Sequence, residues 1–184
     1  MKLLRAADYL RTPWKNGGGS TLEVCRDQGA GLDEFGWRLS IADIAQPGPF
    51  SSFAGYERVI TVLEGQGMVL QVDGRSSGPL RPYQPFEFSG ASEVSCELID
   101  GPIRDFNLIY APVRYQAQLQ WLDAAARVSL KADAGTRIIF AAVPTVRVEL
   151  AGNSVTLGQH DTLLLNEQAA VVTGRCALIQ LQPL

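Results

Sequence analysis

Short runs of β-forming residues fill this chain from end to end, and Gly, Pro, Asn or Asp interrupts them about every ten residues. Helical periodicity is almost absent. In the first part of the sequence the pattern predicts strands over Thr21–Cys25, Trp37–Ile44, Val59–Leu63, Met68–Val72, Phe86–Phe88, Val94–Ile99 and Phe106–Tyr110. A second set is expected over Tyr115–Trp121, Ala126–Leu130, Arg137–Ala142, Val146–Leu150, Ser154–Leu157, Thr162–Leu165, Ala169–Thr173 and Ala177–Leu181. One segment, Leu122–Arg127, reads either as a short helix or as a turn. Strands this short and this evenly spaced belong to an all-β sandwich or barrel.

The two sets resemble each other. Arg58-Val59-Ile60 matches Arg137-Ile138-Ile139, Met68–Gly74 matches Val146–Gly152, and Cys96–Ile99 matches Cys176–Ile179, all at nearly one offset. Two similar β-barrels are expected, residues 1–111 and 112–184, joined near Ala111-Pro112-Val113, where a proline interrupts the strand pattern. Val155–Leu165 looks like the strand, Gly-Asp turn and strand of a cupin barrel, and Gly78–Phe86 stands at the corresponding place in the first set. The fold class expected is therefore two tandem cupin-type (jelly-roll) β-barrels, a bicupin. The C-terminal barrel is read as structural.

A chain of 184 residues with 46% apolar and 19% charged residues can build a core without disulfide or metal staples. At this size folding removes roughly 70% of the chain's surface from water. No apolar run reaches the roughly 18 residues of a membrane span, and the first residues carry no signal-peptide core. A cytoplasmic location without membrane contact is expected. Sixteen basic against nineteen acidic residues leave a net charge of −3, which argues against nucleic acid as a partner. A homo-oligomer stays open. There is one histidine, His160, so a mechanism needing two is excluded. The three cysteines, Cys25, Cys96 and Cys176, lack CxxC spacing and read as reduced core thiols. Neither a metal nor any other cofactor is expected.

The unusual sequence lies in the first half. Pro13–Val24 contains Gly17-Gly18-Gly19, a backbone able to approach another group closely, beside Lys15 and Asn16. It is either a plain hairpin loop or a loop whose amides and Lys15 meet an anion. Strand alternation puts Thr21 with Glu23, Arg38 with Ser40, and Asp105 with Asn107, each pair opposite to apolar neighbours. These polar pairs either face solvent or share one cavity. Residue types suited to a small anion, and rigid flanking segments such as Gly48–Phe53 and Asp100–Arg104, favour the cavity. Phe50 and Ser51 are placed on its rim. Arg58 opens the apolar run Val59–Leu63 and needs a partner, either an acidic side chain or a ligand carboxylate. Arg137 reads as structural.

Pro13–Glu23, Trp37–Ala42, Gly48–Arg58 and Asp100–Asn107 together resemble the HutD/Ves family, in the family's order and over essentially the whole chain. Ala54, where a proline is common, is a mild departure. The resemblance implies a bicupin tied to histidine breakdown, with N-formyl-L-glutamate as a ligand, and no defining catalytic activity. The residue chemistry suits that ligand class: Lys15, Arg38 and Arg58 for two carboxylates, and Asn16, Ser40 or Asn107 for a formamide. The expectation is a non-enzymatic protein that binds a small acidic metabolite. Two alternatives stand beside it. One is a metal-independent enzyme acting on a small carboxylate or acyl-amino acid, with Glu23 or Asp105 as acid/base. The other is a regulator acting only through protein contacts, its interior filled by side chains.

Overall fold

The computed structural model describes residues 1–14, 18–27 and 34–184. Among these the chain forms nineteen strands and one 3-10 turn, Ala6–Asp8. No helix among them is long and apolar enough to cross a membrane. Two compact units result, one of Leu10–Arg114 and one of Met1–Tyr9 with Tyr115–Leu184.

After β1 (Lys2–Leu4), the N-terminal unit runs β2 (Leu10–Pro13), β3 (Gly19–Arg26), β4 (Trp37–Ile44), β5 (Gly48–Pro49), β6 (Glu57–Glu64), β7 (Met68–Val72), β8 (Arg75–Leu80), β9 (Phe86–Ser89), β10 (Val94–Leu98) and β11 (Ile103–Tyr110). One sheet has the order β2-β3-β4-β11-β6-β9 and the other β5-β10-β7-β8. Ile60 and Val62 of β6, Met68 and Leu70 of β7, Cys96 of β10 and Ile103 of β11 share one buried cluster, so the two sheets pack face to face.

The C-terminal unit runs β12 (Tyr115–Leu122), β13 (Arg127–Leu130), β14 (Thr136–Ala141), β15 (Val146–Leu150), β16 (Asn153–Leu157), β17 (Thr162–Asn166), β18 (Ala170–Thr173) and β19 (Cys176–Pro183). Its sheets are β1-β17-β14-β19-β12 and β13-β18-β15-β16. Each strand from β4 to β11 has its counterpart eight strands later, in the same sheet order. Eight antiparallel strands in two sheets of four are a jelly roll, and this chain holds two in tandem, with sheets that stay open at their edges.

The repeat extends to backbone detail. Tyr83 before β9 and His160 before β17 both sit at φ 65°, in the left-handed region. Their amides donate to Val62 O (3.0 Å) and Ala141 O (2.8 Å), at equivalent points of β6 and β14. The Arg58/Arg137 and Met68/Val146 matches fall on equivalent strands. The third match does not: Cys96 is on β10, whereas Cys176 is on β19, the counterpart of β11.

One further expectation differs from the structure, and the open reading of Leu122–Arg127 resolves to one of its two alternatives. Residues 1–9 belong to the C-terminal unit, because β1 pairs antiparallel with β17 and Leu3 packs on the C-terminal core. Asp161 fastens the same segment, accepting from the Ala6 amide (2.9 Å), the Gly158 amide (2.9 Å) and Arg5 Nη1 (2.6 Å), and these partners hold its carboxyl below the usual range against the opposing cost of burial. Leu122–Arg127 is a turn and not a helix. Leu122 ends β12, and the Ala126 amide donates to Asp123 O at 2.9 Å.

Candidate functional site on the inner face of the six-stranded sheet

Three strands of the N-terminal unit lie side by side as β4-β11-β6, and their register decides what the sheet turns inward. Arg38, Ile109 and Arg58 form one row across it, with Phe88 of β9 beside Arg58. Ser40, Asn107 and Ile60 form the next row, and Ala42, Asp105 and Val62 the third. Glu23 and Thr21 of β3 extend the second and third rows, opposite Ser40 and Ala42. The face is the one that carries Ala42, Ile60, Val62, Phe88 and Ile103 into the core cluster. Thr21, Glu23, Arg38, Ser40, Asp105 and Asn107, expected as pairs from alternation, therefore share one inward face with Arg58, expected separately as a charge in need of a partner.

Arg26, which alternation alone misses, joins them. A bulge between Glu23 and Cys25 shifts the phase of β3, so that Arg26 pairs with Arg38 while Cys25 pairs with Leu39. Arg26 grips the Glu23 carboxylate through Nε (2.8 Å) and Nη2. Arg38 Nε lies 3.4 Å from the same carboxylate, an ion pair without hydrogen-bond alignment. Both guanidiniums lie over the Phe35 ring, at 5.8 and 6.0 Å. Phe35 itself is fixed against Tyr56, with ring centroids 4.7 Å apart, and its carbonyl accepts from Tyr56 Oη at 2.8 Å. Nothing in the local alternation marked Phe35, because it precedes its strand.

Arg58 sits deeper and is 5% exposed. Three rings enclose its guanidinium: Phe88 at 4.9 Å, Phe50 at 5.4 Å and Phe53 at 5.5 Å. Nη1 donates to Ser51 O at 3.1 Å, so Ser51 serves through its carbonyl while its side chain is exposed. The Phe53 loop closes on Gly90, whose amide donates to Tyr56 O and whose carbonyl accepts from the Phe53 amide, both at 2.7 Å. A Cβ at Gly90 would stand 2.4 Å from Phe53 O, so only glycine permits that approach. At the start of β3, Gly19 plays a similar part, since a Cβ there would lie 2.2 Å from Asp43 O. Thr21 Oγ1 accepts from Trp14 Nε1 at 2.8 Å. Lys15 and Asn16 lie outside the described residues.

Burial sets the electrostatics. It pushes the Asp105 carboxyl up to about 7, against the pull of Arg58 and the Ala42 backbone. The Arg58 guanidinium is lowered to about 10, again by burial first. Arg38 is lowered for the same reason, and Glu23 offsets part of that cost. Six buried side-chain atoms have no hydrogen-bond partner among the described residues, and five are on this face: Arg38 Nε and Nη1, Arg58 Nε, Asp105 Oδ1 and Asn107 Oδ1. Each such group costs about 1–3 kcal/mol, and native folds keep few of them. Among the described residues no three of His, Cys, Asp and Glu gather as metal ligands. Arginine forks, an amide and a poised carboxyl are the chemistry of small organic anions. A separate cavity of about 310 Å³ at the strand ends, bordered by Asp43, Glu64 and Arg104, has its charges already paired.

Known proteins carry the same architecture. The HutD family model matches residues 6–179. A Pseudomonas putida protein described as an uncharacterized 21.2 kDa protein in the hutC 3′ region is 56% identical, over 98% of this chain and 97% of its own length. The structure of HutD from Pseudomonas fluorescens SBW25 is 54% identical, with a TM-score of 0.87 over 100% of this chain and 98% of that one. PA5104 from Pseudomonas aeruginosa PAO1, a conserved protein of unknown function, is 50% identical, with a TM-score of 0.91 over 99% and 97%. At 8% identity, a cupin 2 conserved barrel domain protein from Leptotrichia buccalis shares the fold alone, with a TM-score of 0.57 over 89% and 88%. With the family model spanning both jelly rolls and relatives of 50–56% identity covering almost the whole chain, the chain belongs to the HutD family, in the context of histidine utilisation.

Proposed function

We propose that this protein binds a small acidic metabolite on the inner face of its N-terminal jelly roll, without turning it over, and that N-formyl-L-glutamate is such a ligand. The observation that carries the reading is the pair of buried arginines, Arg38 and Arg58, with N–H groups unpaired beside Asn107 and Asp105. A buried guanidinium fork without an acceptor is a costly arrangement that a carboxylate relieves by charge-assisted bonds. In this reading the phenyl rings around Arg58 exclude water and strengthen that pairing. Membership of the HutD family, in the context of histidine utilisation, supports a ligand such as N-formyl-L-glutamate, which carries two carboxylates and a formamide.

The test is calorimetric titration of N-formyl-L-glutamate into purified protein, with the melting temperature and the ligand's NMR spectrum followed in parallel. Binding with a raised melting temperature and an unchanged spectrum is expected, since a ligand that binds only the folded state stabilises it. Absence of both heat and melting shift removes this ligand. Asp105 favours a second reading, a metal-independent enzyme acting on a small carboxylate or acyl-amino acid, because a carboxyl at about 7 is matched to proton transfer near neutrality. New product signals in the same spectra would establish it.

A further inference from the structure

Eight strands lie at sheet edges among the described residues, and seven of them carry safeguards against pairing with another chain. β1, β2, β5, β8, β9 and β13 have six residues or fewer and contain a charged residue or a proline, and β16 has five residues. β12 is the exception. It is eight residues long, Tyr-Gln-Ala-Gln-Leu-Gln-Trp-Leu, without charge, proline or glycine. It pairs with β19 from Tyr115 to Leu122 without a bulge, and no described strand pairs with its other side. The jelly-roll frame accepts a strand there: β4, the counterpart of β12, carries β3 antiparallel on the corresponding side.

The sequence of β12 is its own complement. Antiparallel pairing with a second copy about a two-fold axis at Gln118 sets Gln118 against Gln118, Gln116 against Gln120, Ala117 against Leu119 and Tyr115 against Trp121. The three glutamines are exposed on one face, and an amide both donates and accepts, so each can satisfy another of its kind. On the other face an aromatic pair closes each end. A two-fold axis sets a strand against itself, so charges on it would oppose their like, and β12 has none. We infer that β12 is a self-association edge: two copies of this chain pair β12 to β12, antiparallel, and their five-stranded sheets become one sheet of ten. One strand from each copy makes a small contact, so the dimer should be reversible, with a dissociation constant of about 1–100 µM.

Sedimentation velocity of the full chain from about 1 to 300 µM tests this, with Gln118→Lys and Gln118→Glu beside the wild type. Gln118 is exposed, and circular dichroism confirms that both variants fold. Wild type should pass from monomer to dimer across this range. Each variant alone sets like charges at the two-fold axis and should associate at least about tenfold more weakly. An equimolar mixture of the two variants sets opposite charges there and should dimerise again. A wild type that stays monomeric at the highest concentration overturns the self-pairing and leaves the edge to a strand of another protein. Dimerisation undiminished in either variant, or no recovery in the mixture, overturns it too, by placing the contact elsewhere.

Discussion

Arg58 and Arg137 occupy the same point of the two jelly rolls, the second residue of β6 and of β14, and they are used differently. Arg137 Nη1 and Nη2 donate to the carbonyls of Lys131 and Gln168, the second at 2.5 Å, and so clamp two loops. Arg58 reaches one carbonyl, Ser51 O, and spends its remaining surroundings on three phenyl rings. The floors differ more sharply. The register that sets Arg58 beside Ile109 sets Arg137 beside Gln180, so Asn107 and Asp105 correspond to Leu178 and Cys176. Leu178 and Cys176 pack into the C-terminal apolar cluster, and burial raises the Cys176 thiol to about 12. At these positions one frame therefore has an apolar floor, with Arg137 Nε its one buried unpaired side-chain atom among the described residues, and the other a polar floor with five such atoms. A departure of one repeat from the packing rule of the other marks a candidate site.

The comparison can be broken first at Arg137. Arg137→Ala removes two charge-assisted bonds to loop carbonyls and should lower stability by about 2–4 kcal/mol in denaturant unfolding. A loss under about 1 kcal/mol would mean the clamp is not structural.

Asp105 sharpens the comparison through pH. Its folded-state value, about 7, lies above the unfolded value of 3.8, so the native state holds a proton that the unfolded chain releases. That contribution is present below pH 3.8 and is lost as pH rises through about 7. Wild-type stability should accordingly decline across this window by at most about 1.4 kcal/mol per pH unit relative to Asp105→Asn. Unfolding curves for both proteins at pH 5 and pH 8 measure it, and parallel slopes would contradict the buried carboxyl.

The smallest effect belongs to the rim. Glu23→Gln frees Arg26 and Arg38 from their shared carboxylate and should tighten anion binding about twofold to fivefold, less at high salt. Weaker binding would place Glu23 among the groups that touch the ligand.

Much of this was readable in the sequence, and the limits are physical. Alternation placed Arg38 with Ser40 and Asp105 with Asn107 because β4 and β11 run without interruption. It lost Arg26 because one bulged residue reverses the phase of a strand. It could not find Phe35 or Phe53, whose contacts with the arginines come from loops closing in three dimensions. β8, Arg-Ser-Ser-Gly-Pro-Leu, is not legible as a strand in the sequence because it has few β-forming residues and is held by pairing with β7. Chain order puts the first nine residues with the N-terminal unit, whereas the pairing of β1 with β17, across almost the whole chain, puts them with the C-terminal one. The motifs Pro13–Glu23 and Gly48–Arg58 carried the family, because long runs of unusual residues are specific where short β runs are not.

The claim that the N-terminal jelly roll holds an acid-binding site which the C-terminal one lacks is tested most directly by titrating N-formyl-L-glutamate against wild type, Arg58→Met and Arg137→Met. Methionine fills the space among the phenyl rings or beneath the loops without a charge, and circular dichroism at the titration temperature confirms folding. Arg58→Met should weaken binding about 10- to 100-fold, and Arg58→Lys should stay weak because an ammonium lacks the planar fork. Arg137→Met should match wild type. Equal affinities for wild type and Arg58→Met, or an equal loss in Arg137→Met, would contradict the account.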